Sequence, residues 1–218
     1  MRDGGTDVRT PDGGAAEACP AGKPWLTVPV RVHLLRSTIE SLDASLDEAA
    51  FRAVLEQASA EWVQACIRFS VERIVEDPLT AQQEQTFRSR VSSGFQDSRT
   101  LMRDAMPVGN LLEKGWNVMV FRNFTAPASG VYLGEIQSLL WSEKLPPMAP
   151  PGDNPPLILA HEFGHSFGLR HYEGAEPHLN LMNAEVMQTR QTARGLTADQ
   201  VQDARAQVAT GDTAATSP

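Results

Sequence analysis

Residues 161–171 read HEFGHSFGLRH, which puts three of the chain's five histidines into one short stretch. An imidazole nitrogen is a zinc ligand, and two histidines four residues apart on a helix stand one turn apart on the same face. His161 and His165 have that spacing, so both rings can reach one metal ion. Glu162 sits beside the first of them and can enter the same cleft as an uncoordinated carboxylate facing solvent. His171 lies too far along for the same face. Gly168 accounts for it, because glycine can take the left-handed conformation that ends a helix and turns the chain back. Three neutral imidazoles leave a fourth tetrahedral position for water, as in a catalytic rather than a closed structural zinc site. The five fixed positions of HExxHxxGxxH would coincide in about one random chain in 10⁵ at average residue usage. Incidental surface histidines are therefore a poor explanation.

Positioning such a cluster requires a rigid frame. LTVPVRVHLL, residues 26–35, is apolar and β-branched on both faces and predicts a buried parallel strand. Ser45 and Glu48 have capping-box spacing, and Phe51, Leu55, Ala58, Trp62 and Ala65 recur at helical intervals, predicting a helix over Leu46–Ala65. A strand over Ile67–Ile74 completes a βαβ unit with a right-handed crossover. Residues 76–110 are polar and irregular apart from a short helix near Ser98–Ala105. GWNVMVFRNF, residues 115–124, is another strand; SGVYLGEIQSLLWSE, residues 129–143, holds one or two strands with Gly134 as a bend or bulge. Pro155 and Pro156 suit the first turn of a helix that continues through LILAHEFGHSFG. Thr197 and Gln200 form a second capping box, with Leu196 and Val201 placed for a hydrophobic staple over a final helix. Residues 1–24 and 211–218 lack periodicity and read as a flexible lead-in and tail around one domain, 25–210.

The 218 residues are 41% hydrophobic and 21% charged, which suits a globular domain with a sizeable core. A net charge of −8 argues against nucleic acid or an anionic membrane as partner, since both reward a basic face. No apolar run approaches the roughly 20 residues of a membrane span. MRDGGTDVRT lacks the apolar stretch of a signal peptide, so the chain is either cytoplasmic or a secreted or periplasmic form without its leader. Cys19 and Cys66 make one disulfide or two thiols. If the first two strands are parallel neighbours, their starts share one end of the sheet, which favours the disulfide and an oxidising compartment. His33, inside the first strand, and His178, in a loop, read as structural or surface residues rather than ligands.

HEFGHSFGLRH resembles the long zinc signature of the metzincin clan of metallopeptidases. A second clan feature, a tight turn carrying a methionine beneath the zinc, is matched by NLMN at 180–183; Met182 takes that role, with Met187 as the alternative. The order of elements over roughly 26–207 is similar as well. The resemblance implies an α/β (α+β) fold with a mixed, mainly parallel five-stranded sheet. A long backing helix and the zinc helix would lie in an upper lobe, about 25–167, with the Met-turn and C-terminal helix in a smaller lower lobe, about 168–210. It implies a monomeric zinc-dependent endopeptidase acting on proteins or peptides, with Zn2+ on His161, His165 and His171 and Glu162 as general base toward water. Substrate would pair with an edge strand over Gly130–Ile136, through Gly130, Val131, Tyr132 and Leu133. Asn183–Thr189 would wall the adjoining pocket.

Tyr172 stands where matrix metalloproteinases, astacins, adamalysins and serralysins have Ser, Glu, Asp and Pro, so the subfamily stays open. Trp62–Phe69 and the NLMN turn look loosely similar to pappalysin-type and other bacterial metzincins. EACPAGKP lacks the surroundings of a zinc-blocking propeptide cysteine, which speaks against that role for Cys19. Two further classes are compatible with the residues: a non-catalytic zinc-binding module, and a metallopeptidase toxin or effector with one dedicated target.

Overall fold

LTVPVRVHLLR forms strand β1 (Leu26–Arg36), which lies between two parallel partners, β2 (Ile67–Pro78) and β3 (Trp116–Asn123). Both of its edges are paired and the face of Val28, Val30, Val32 and Leu34 is buried along its length, which is why that face is wholly apolar. Strands β4 (Gly130–Leu133) and β5 (Ser138–Lys144) complete a five-stranded sheet in the order β2-β1-β3-β5-β4. β4 runs antiparallel to β5, and the other pairs are parallel. The expected mixed, mainly parallel α/β sheet is the one present. The structure is a computed structural model and describes residues 19–92, 110–123, 130–144, 154–176, 179–184 and 195–215. The helix expected near Ser98–Ala105, His178, the alternative Met187 and the pocket wall beyond residue 184 lie outside them.

Helix α1 (Glu48–Trp62) starts later than its pattern predicts. Ser45 cannot cap it, because the Glu143 carboxylate holds the Ser45 hydroxyl and the backbone N–H groups of Ser45 and Leu46. Asp47 caps instead, accepting from the Ala50 N–H at 2.8 Å. The helix tightens into a 3₁₀ turn over Val63–Ala65 and stops at Cys66, whose φ is 53°. β2 runs past Ile74 to Pro78, and helix α2 (Ala81–Ser92) occupies part of the stretch expected to be irregular. The Thr80 hydroxyl accepts from the Gln83 N–H while the Gln83 side chain accepts from the Thr80 N–H, a capping box visible in the sequence that marks the helix start. Glu84 ties α2 to the turn after β1, and hydrogen bonds from the Thr38 and Ser37 side chains hold its carboxyl below the usual range.

Helices α1, α3 (Pro155–Ser166) and α4 (Ala198–Ala209) share one apolar core with a face of the sheet that presents Val30, Val32, Val118, Val120 and Trp141. The opposite face buries Leu35, Met119, Phe121 and Leu140 against Leu42 and Phe87. His33 lies on that second face, fully buried and bonded to Asp77 and Asn117, so it is structural. Cys19 and Cys66 form a disulfide that fastens residues 19–24 to the starts of β1 and β2, and the Leu26 N–H donates to the Cys66 carbonyl there. Arg205 of α4 closes the same corner through the carbonyls of Ala65 and Pro24.

Of the tail expected to trail over 211–218, the described residues fold back onto the domain. The Ala214 N–H donates to the Ser166 carbonyl at 2.8 Å, the Tyr132 hydroxyl donates to the Ala214 carbonyl, and Thr213 is buried. Such docking depends on partners far away in the chain and leaves no periodic trace.

Candidate metal centre

Helix α3 carries the HExxH residues, and three tryptophans seat it. The Trp141 indole N–H donates to the Pro155 carbonyl at its start, Trp62 to the Ala160 carbonyl midway, and Trp116 to the Ser166 hydroxyl at its end. Beyond the helix, Gly168 adopts φ +83°, and the N–H groups of Gly168 and Leu169 close onto the carbonyls of His165 and Gly164. This is the left-handed stop expected from the sequence. It brings His171 back beside the helix.

The three rings converge. One ligand nitrogen from each of His161, His165 and His171 lies within 4.8 Å of the others. His161 is buried, His165 half-buried and His171 exposed, so the cluster opens on one side to solvent. Nδ1 of His161 faces the Leu181 carbonyl and Nδ1 of His165 the Leu169 carbonyl, each at 2.8 Å. A carbonyl only accepts, so those nitrogens carry the protons and the lone pair of each ring sits on Nε2. Nε2 of His165 then stands 3.2 Å from Nε2 of His171. Two ligands of a tetrahedral zinc, each about 2.0–2.1 Å from the ion, are about 3.3 Å apart. The donor set therefore fits zinc in identity, in the tautomers of His161 and His165, and in the spacing of His165 and His171.

Met182 is fully buried. A Cβ added at Gly164 would lie 2.2 Å from its Sδ, so the sulfur presses on the helix between the two ligand positions. The turn is pinned from outside as well: the Asn180 side-chain oxygen accepts from the Met182 N–H, and the Asn180 and Gln200 amides bond to each other. Gln200 thus caps α4 and holds the loop whose Leu181 carbonyl orients His161. Sequence reasoning found Gln200 only as a cap and missed Asn180, because an amide pair twenty residues apart leaves no local pattern.

Glu162 is not solvent-facing as expected; it is 7% exposed, packed against the start of β4. Of the edge strand proposed over Gly130–Ile136, Gly130–Leu133 is strand and Gly134–Ile136 a 3₁₀ turn. Tyr132 points inward, and burial pushes its phenol pKa up. Tyr172 rests on its own loop, where a Cβ at Gly174 would come within 2.3 Å of the hydroxyl, and its N–H donates to the Met182 carbonyl.

No family model and no curated protein matches the chain. Among solved structures it is similar to metalloproteinase-II from Bacteroides fragilis, at 10% identity and TM-score 0.46, over 85% of this chain and 54% of that one. It is also similar to archaemetzincin from Methanopyrus kandleri, at 13% identity and TM-score 0.48, over 85% and 96% of the two chains. A chain from a structure described as a chaperone–substrate complex matches at 11% identity and TM-score 0.46, over 86% and 39%. The chain thus spans about half the length of the first of these.

Proposed function

We propose that the chain is a zinc-dependent endopeptidase of the metzincin kind. The observation that carries this is the convergence of three imidazoles, those of His161 and His165 with their Nδ1 protons anchored, beside a carboxylate that is not part of the donor set. His161, His165 and His171 would hold Zn2+, Met182 would underlie it, and Leu181 and Leu169 would fix two of the rings. Bound there, zinc would supply Lewis acidity, polarising a peptide carbonyl and acidifying water. Glu162 would take a proton from the attacking water as its oxygen bonds to the carbonyl carbon. It would return that proton to the amide nitrogen as the C–N bond breaks. Substrate would lie extended along β4, whose described partner β5 covers one edge, and be held by backbone hydrogen bonds through Gly130, Val131, Tyr132 and Leu133. The cleft would separate an upper lobe, about 25–167, from a lower one, about 168–210. The Cys19–Cys66 disulfide favours an oxidising setting, secreted or periplasmic.

The test is incubation with a peptide library, with and without a chelator, and mapping of cut sites by mass spectrometry. Cleavage should vanish with the chelator and return with zinc. Glu162→Gln should keep zinc and lose cleavage, whereas His161→Ala should lose zinc. Zinc retained by a wild-type protein that cuts nothing would favour the non-catalytic module instead.

A further inference from the structure

Gly130 opens β4, and its φ is outside the left-handed region, so nothing in the backbone demands glycine there. Glycine weakens a strand, and inside one it marks a place where another group comes close. The close group is Glu162. A Cβ at residue 130 would stand 2.6 Å from Glu162 Cγ, 3.0 Å from its Oε1 and 2.9 Å from Ile158 Cγ2. Ile158 and Glu162 are one turn apart on α3, so the strand's first residue lies in the notch between them. The strand cannot simply retreat. Gly130 pairs in register with Trp141, and the Trp141 indole is bonded to the start of the same helix.

We propose that Gly130 is a positioning residue for Glu162: its bare backbone forms the wall that confines the Glu162 side chain. This rests on the reading of Glu162 as general base. A methyl group at 130 needs an ordinary contact of about 3.5–4.0 Å, so Glu162 must shift by about 1 Å. Misplacement of that size costs about 10²-fold in rate.

Gly130→Ala is the test, read in three ways. Turnover should fall about 10²-fold in kcat with KM much less affected, while zinc affinity stays at the wild-type value. The third reading needs no activity. Gly130→Ala should lower Tm in the wild-type background, and that loss should be roughly halved or better in a Glu162→Ala background, where Cγ and Oε1 are gone. If Gly130→Ala fails to fold alone, recovery of folding in the Glu162→Ala background gives the same answer. Wild-type kcat in Gly130→Ala, or an equal Tm loss in both backgrounds, would overturn the proposal. A wild-type protein that cleaves nothing yet shows the Tm coupling would sink the endopeptidase reading and leave the confinement of Glu162 standing.

Discussion

Gln200 joins two structures that sequence treats separately, and the join can be measured. Its Oε1 accepts from the Thr197 N–H and from the Asn180 side chain, both at 2.9 Å, while its Nε2 returns a longer bond to Asn180 Oδ1. Thr197→Ala removes the hydroxyl that caps α4 and leaves the Asn180 pair intact, costing about 1 kcal/mol. Gln200→Ala removes its half of the capping box and both bonds to Asn180. At about 1 kcal/mol for each bond, the cost is about 2–3 kcal/mol. With about 2–4 °C of Tm per kcal/mol in a chain of this size, the two variants should separate clearly in thermal unfolding of metal-free protein. Their zinc affinities should separate too. Asn180 holds the Met182 N–H, and the neighbouring Leu181 carbonyl orients His161. Loss of support for the carbonyl that orients a ligand should weaken metal binding measurably. Competition against a chromophoric chelator should show that weakening for Gln200→Ala and wild-type affinity for Thr197→Ala. Equal Tm losses, or unchanged zinc affinity in Gln200→Ala, would refute the idea that the cap supports the metal loop.

Two other outcomes follow from the fold. Reducing the Cys19–Cys66 bridge, which spans 47 residues, should lower unfolding stability by up to about 4 kcal/mol, readable as a shift in denaturant midpoint with and without reductant. Burial raises the Tyr132 pKa in the folded state, so the folded protein binds that proton more tightly than the unfolded chain. The stability it contributes is fully present below the unfolded value of about 10 and is lost as pH rises through the folded one. Tyr132→Phe should cost stability at neutral pH, through the lost bond to the Ala214 carbonyl, yet show a shallower alkaline decline in a pH series of melts.

What the sequence made legible follows how local each interaction is. His161 and His165 are fixed by helical spacing alone, and Gly168 by the conformation its position demands, so the donor cluster could be read directly. The Thr197–Gln200 box is equally local and is present as read. Ser45 had the right spacing but is held by Glu143, a carboxylate 98 residues away, and Asp47 caps instead. α2 escaped notice because QQEQTFRSR has no apolar stripe; Phe87 is its buried residue among those described, and the helix is held by polar ties. The enclosure of Glu162 is likewise non-local, since it depends on where β4 begins relative to α3.

The indoles that seat α3 have a practical corollary. Trp62, Trp116 and Trp141 are dry and hydrogen-bonded to that one helix, while Trp25 is half-buried beneath the Arg68 guanidinium. Three of the chain's four indoles thus sit against a single element. Any loosening of the helix that carries His161 and His165 is reported optically by the protein without an added label.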